Sequence, residues 1–378
     1  MTKRKYGQGQ AFLEKASHIN MGFASRRSRV STVAIAIAIC LVTILIFSLG
    51  CEKTRSLDDD IMLVSGPGVS TLSTDTGEVN ELIAGSDTVQ YSSAVVSPDR
   101  MSLIVVESSS KKELGHELYR VMIQERLISD MSVLNEYDMG TEGNVWQLGY
   151  VPNSNQIWAL QSAELGVLNP NIGGSQSFRL IDSGGKTSTV AFSGDKLTSN
   201  QSQKYAYYMS FSPSGDLIAY SENEENEAGK ANVLNVGRFN GSRLAGIETV
   251  MEPGKTKGID GTVITGRVGG HAWLSEDRLV VVVSRDSASG PGIDEANTRV
   301  WFVDYGANGE KVLTSGFPAA TAPTVSPGGR EIAVLNTGLQ TESGLGRVVV
   351  YYTDAKKLDE IPIGWDINMM TYFSWSSW

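Results

Sequence analysis

The side chains able to do acid-base, nucleophilic or metal chemistry are few in this chain. There are three histidines and two cysteines in 378 residues: His18, His116 and His271, and Cys40 and Cys51. Two histidines far apart, with no thiolate near them, do not make a zinc site. No Gly-x-Ser-x-Gly elbow is present, so a serine nucleophile of the α/β-hydrolase kind is not expected. The acidic run Glu222-Asn223-Glu224-Glu225-Asn226-Glu227 lacks the spaced ligands and central glycine of a calcium loop and reads as a solvated hairpin tip. The expectation is therefore no catalytic set, no metal and no cofactor. The most chemically capable residue is His271, which follows Gly269 and Gly270 and precedes Trp273. It becomes a ligand or partner contact if the fold gathers it with Trp146, Tyr207 and Tyr208 in one pocket; the alternative for a histidine beside glycines is a structural role.

What would gather them is a repeat. Met209-Ser210-Phe211-Ser212-Pro213-Ser214-Gly215-Asp216-Leu217-Ile218-Ala219-Tyr220 reads as a strand, a Ser-Pro-x-Gly turn and a second strand. Similar copies run from Val95-Val96-Ser97-Pro98-Asp99-Arg100 into Leu103 to Val106, and from Thr324-Val325-Ser326-Pro327-Gly328-Gly329 into Ile332 to Leu335. Looser copies lie at Tyr150 to Ser154 and at Trp273 to Asp277, and the chain ends on Phe373-Ser374-Trp375-Ser376-Ser377-Trp378. In such a turn serine bonds the backbone ahead, proline presets φ, and glycine relieves the exit. The turn positions 98, 152, 213, 276, 327 and 377 are 54, 61, 63, 51 and 50 residues apart, the length of a four-stranded propeller blade.

Each interval also holds a second hairpin. The stretch from Ile61 to Ile83 supplies three strands without a first, and Thr371 to Trp378 supplies a first strand without the rest. The expected fold is all-β: a six-bladed β-propeller of four-stranded antiparallel blades over 60–378, its last blade closed by both chain ends. The strand tryptophans Trp146, Trp158, Trp273, Trp301 and Trp375 are expected to wedge between blades. Long connections, Ser183 to Gln203 and Ser284 to Thr298, lie on the faces, where loops on a rigid scaffold carry recognition.

These turn motifs resemble the TolB-like six-bladed propellers, a group with WD40-like repeats whose turns have a Trp-Ser-Pro-Asp-Gly pattern. The resemblance covers roughly residues 60 to 378. It implies the propeller fold and, by analogy alone, a role in complexes of the bacterial cell envelope.

Val30 to Gly50 is a run of 21 residues without a charge, preceded by Arg26, Arg27 and Arg29. As a helix it spans about 31 Å, enough for a bilayer core, and its basic flank predicts an inside N-terminus. The organisation expected is a basic tail (1–29), the apolar segment (30–50), a linker (51–59) and the propeller. Two anchors fit: a retained single-pass transmembrane helix, or a lipoprotein signal peptide cleaved before Cys51, the possible lipid attachment site. With Cys40 inside the apolar run, no disulfide framework exists. Beyond Cys51 the chain has 25 basic and 41 acidic side chains, a net charge of about −16, which argues against nucleic acid as partner.

Taken together, the residues predict a membrane-anchored, extracytoplasmic propeller that binds or scaffolds an envelope or secreted protein. The alternatives are a propeller enzyme of hydrolase or lactonase type, or a ligand-sensing domain, either using the central channel.

Overall fold

The computed structural model describes residues 60–65, 68–113, 116–140, 145–162, 176–192, 206–226, 229–284, 298–305, 311–318, 323–336, 347–362 and 370–375. All belong to the compact unit Arg55–Trp378. The apolar segment 30–50 and Cys51 lie outside the described residues, among which no helix is long and apolar enough to cross a membrane.

The chain enters through β1 (Asp60–Ser65), β2 (Gly68–Ser73) and β3 (Val79–Ala84), three strands of one blade. The first complete blade follows as β4 (Val89–Val96), β5 (Ser102–Glu113), β6 (His116–Leu127) and β7 (Val133–Asp138). The second is β8 (Val145–Tyr150), β9 (Ile157–Ser162), β10 (Gln176–Ile181) and β11 (Thr187–Thr189). A two-residue strand, β12 (Ala191–Phe192), then crosses to pair in parallel with the outer strand of the third blade. That blade is β13 (Ala206–Phe211), β14 (Leu217–Asn226), β15 (Gly229–Phe239) and β16 (Arg243–Met251). The fourth is β17 (Arg267–Ser275), β18 (Arg278–Ser284), β19 (Arg299–Tyr305) and β20 (Lys311–Pro318); the fifth is β21 (Thr324–Val325), β22 (Glu331–Asn336), β23 (Arg347–Tyr352) and β24 (Lys357–Pro362). Finally β25 (Met370–Trp375) pairs antiparallel with β1, so that both chain ends build the sixth blade. Within the blades every pairing is antiparallel, and β4, β8, β13, β17, β21 and β25 meet in turn around the axis, closing a six-bladed propeller.

The turns explain the repeat. In the complete copies the serine oxygen accepts the amide five residues ahead: Ser102 N–H on Ser97 Oγ (3.0 Å), Leu217 N–H on Ser212 Oγ (3.2 Å) and Glu331 N–H on Ser326 Oγ (3.0 Å). The fourth turn residue sits in the left-handed region, at Gly215 (φ 83°), Gly329 (φ 64°) and Arg100 (φ 61°). Where the fourth blade lacks the proline, Glu276 stands in its place. Its carboxylate accepts the Ser214 backbone N–H and, at 2.9 Å, the Ser214 hydroxyl, tying the turns of neighbouring blades together.

Each blade buries both faces. Along β18, Leu279, Val281 and Val283 join the cluster shared with the third blade, and Val280 and Val282 the cluster shared with the fifth. That alternation is the strand's two-residue period, and it turns each second strand into a continuous apolar run. Six such clusters fill the six interfaces. Trp158, Trp273 and Trp301 are wedges within them, each at most 5% exposed; Trp146 and Trp375 have side chains outside the described set.

Among the described residues, two hairpins are long. β5 and β6 have 12 residues each, and β14 and β15 have 10 and 11. At about 3.3 Å per residue each strand of the first-blade hairpin spans roughly 40 Å. Because β5 and β14 start from the Ser-Pro turns, their far ends project from the opposite face. The acidic run ends at the tip of the third-blade hairpin, where Asn226 pairs with Gly229.

Ending the chain before Met370 removes the strand that seals β1, and a protein so truncated is expected to lose its single cooperative melting transition; an unchanged melting curve would refute the closure. Gly329→Ala combines a left-handed φ with a Cβ placed 2.9 Å from the Leu274 carbonyl oxygen of the fourth blade. It should cost about 2 kcal/mol in urea unfolding, whereas Gly241→Ala, whose Cβ meets nothing within 4 Å, should cost only the backbone part of that.

Candidate functional site

The innermost strands share a feature that no sequence motif announces. In the ladder between first and second strand, one extra residue is inserted at the same level in five blades: between Tyr91 and Ser93, between Val145 and Gln147, between Ala206 and Met209, between Val268 and His271, and between Met370 and Tyr372. In the fifth blade the described inner strand is only Thr324–Val325. A one-residue bulge bends its strand, interrupts the ladder and re-aims a side chain. The residues caught in it are Ser92, Trp146, Tyr207 with Tyr208, Gly269 with Gly270, and Thr371.

A bulge also leaves backbone groups that need partners, and in the third blade these come from both neighbours. Gln147 of the second blade accepts the Met209 N–H on its Oε1 at 2.7 Å. His271 of the fourth blade sets its Nε2 3.2 Å from the Tyr208 carbonyl oxygen. One peptide group, Tyr208 to Met209, is thus held from two sides. Trp273 Nε1 adds a bond to the Ser210 carbonyl at 3.1 Å.

The tautomer of His271 follows from its partners. A carbonyl can only accept, so Nε2 carries the proton, and Nδ1 accepts the Ser210 hydroxyl at 2.8 Å. Burial drives the imidazole down to about 4, against the smaller upward pull of the Tyr208 carbonyl, so the ring is neutral at neutral pH. A neutral imidazole accepting a serine hydroxyl is half of a nucleophile relay. Here, however, Ser210 and His271 are 9% and 7% exposed, and the other ring nitrogen is committed to the backbone. The arrangement acts as a clamp between blades.

Of the residues expected to meet in one pocket, His271 and Tyr208 touch directly, through ring and carbonyl. Trp146 and Tyr207 occupy the bulges of adjacent blades at the same level; their side chains lie outside the described set. Tyr208 is 38% exposed although Met209 and Ser210 beside it are buried, and desolvation raises its phenol above the ordinary value. It is a wetted aromatic within a crowded surrounding. Gln147 and Ser210 were not anticipated from the sequence; the signal available was their place, five residues before turn position 152 and three before turn position 213 in two successive repeats. Cys51 lies outside the described residues, and no group of three or more His, Cys, Asp or Glu suited to a metal occurs among those described.

No protein-family model and no curated protein matches the sequence. Among solved structures, the chain is similar to the hydrazine synthase of Kuenenia stuttgartiensis, with 12% identity over 82% of this chain and 85% of that one, TM-score 0.50. An acylaminoacyl peptidase of Pyrococcus horikoshii matches with 12% identity over 72% of this chain and 39% of its own, TM-score 0.43. An oligogalacturonate lyase in complex with manganese matches with 9% identity over 81% and 73%, TM-score 0.45. At these identities the likeness is one of fold.

With its folded pKa near 4 and an ordinary value of 6.5, His271 leaves a proton bound only by the unfolded chain between those pH values. Stability therefore falls as pH drops from about 6.5 to 4, by up to roughly 3 kcal/mol from this residue. His271→Gln keeps a donor for the Tyr208 carbonyl without a titrating ring. Urea unfolding at pH 7 and pH 4.5 should show a smaller acid loss in that variant than in the parent; equal losses would refute the clamp as a buried neutral imidazole.

Proposed function

We propose that this chain is a propeller held at a bacterial membrane by residues 30–50 or by lipid on Cys51, and that it docks a protein of the cell envelope or a secreted protein. The TolB-like turn motifs and the apolar, positively flanked segment support the setting. The observation that carries docking is the pair of long hairpins, β5–β6 and β14–β15, rising from one face of a closed ring. Elements raised from a rigid scaffold suit recognition. The two hairpins are separated by one blade.

Replacing 110–119 and 224–231 by two-residue Asn-Gly turns shortens both hairpins and leaves the blades whole. Full-length parent and double variant would serve as bait in detergent-solubilised native membranes. The expected result is a stoichiometric partner retained by the parent and lost by the variant, with melting temperatures within a few degrees. Equal retention by both would refute docking at this face. Intact mass of the membrane-extracted protein distinguishes the anchors, since lipidation removes residues 1–50 and adds acyl mass to Cys51.

A further inference from the structure

We propose that the face of the ring carrying the Ser-Pro turns lies against the bilayer, where the first and fifth blades touch lipid through exposed apolar side chains. β1 fixes where the chain enters. Ile61 pairs with Trp375 at the end of β25 and Ser65 with Met370 at its start, so Asp60 lies on the turn face. Given the membrane reading above, on which this orientation rests, residues 51–59 join Asp60 to the end of the apolar segment, and a chain of that length reaches at most roughly 32 Å. With the opposite face on the bilayer, the same chain would pass outward over β2 and β3, about 10 Å, and then along their six-residue length, about 20 Å more. Hardly any of it would be left to round the loops at either end of the blade. Lipid on Cys51 shortens the reach by one residue, so both anchors give the same orientation.

The turn face carries what such a contact needs on the two blades that flank the sixth. On the first blade Met101 is 65% exposed, and Val133 and Leu134 are 43% and 47% exposed. The Ile128 N–H bonds the Met101 carbonyl at 3.0 Å, which sets the Ser-Pro turn beside the β6–β7 turn from which Val133 and Leu134 depart. On the fifth blade Tyr352 and Leu358 are each 43% exposed, and the Thr353 N–H on the Arg330 carbonyl at 3.1 Å ties their turn to the Ser-Pro turn. Large apolar side chains held out from a rigid edge gain by entering the boundary between headgroups and acyl chains. The charges around them are of both signs: Arg100 and Arg330 are exposed on the flanking blades, and Asp75 and Glu78 on the sixth between them. That mixture suits a zwitterionic lipid layer better than an anionic one.

The test is photolabelling of the full-length protein reconstituted in vesicles of phosphatidylethanolamine and phosphatidylcholine, a fraction of the latter carrying a diazirine near its headgroup. Labelled residues are then mapped by peptide mass spectrometry. Label is expected at 100–101, 130–134 and 352–358 and not on the β5–β6 or β14–β15 hairpins. Combining Met101→Glu, Leu134→Glu and Leu358→Glu should cut the label on those segments ~10-fold, with vesicle flotation and melting temperature as in the parent. Label on the hairpins, label confined to residues before Asp60, or unchanged label in the triple variant would overturn the orientation while leaving the anchor in place. Failure of the parent to float with the vesicles would overturn the anchor and the orientation together.

Discussion

Everything in this ring depends on sheets with two apolar faces. A blade such as the fourth sends alternate residues of β18 toward the third blade and the fifth, so neither face can be left in water without exposing several valines and leucines. At about 25 cal/mol per Å² of apolar surface, one uncovered face forfeits many times what any hydrogen bond on it contributes. Sheets of this kind are satisfied only when the series has no end. The sixth blade meets that demand by taking β25 from one end of the chain and β1 to β3 from the other, which is why a strand of six residues holds the circle.

Closure in turn shapes the axis. Strands that pack face to face at the rim converge at the centre, and the repeated bulge lets five inner strands bend there in the same way. The bend interrupts ladder bonds in a place where water is partly excluded, and an unpaired buried amide or carbonyl costs more than a made bond returns. Gln147, His271 and Trp273 answer that cost with side chains that reach across an interface to the next backbone. Polar residues near the axis are thus first of all consequences of ring geometry. The neutral state of His271 belongs to the same account, since a charge there would have to be desolvated on both ring nitrogens.

The architecture was legible because its signals are local. Ser212-Pro213-Ser214-Gly215 fixes its own turn, and the serine-to-amide bond five residues on is written in one short segment. The apolar runs and the split sixth blade follow from counting such turns. What was not legible depends on residues about sixty apart. Nothing in Tyr207-Tyr208 marks a bulge, because the extra residue exists only relative to the length of β14. Nothing in Glu107 to Glu113 marks a strand continuing past the blade, because polar residues suit an exposed hairpin as well as a loop. The parallel strand β12 is two residues long and owes its conformation to the edge it covers. His271 could be placed on an inner strand from the turn that follows it, but its partners, the Tyr208 carbonyl and the Ser210 hydroxyl, are set by which blades are neighbours.

The division between faces carries the functional argument. On one face the turns are occupied with each other: Glu276 holds Ser214, and Gly329 lies against Leu274. Contacts of that kind tie neighbouring turns together. On the other face the long hairpins project and the inner strands begin, so the exposed Tyr208 and the hairpin tips share one side of the scaffold. Docking as proposed would then use fixed points around a central opening, its affinity drawn from the stillness of the ring rather than from rearrangement upon contact.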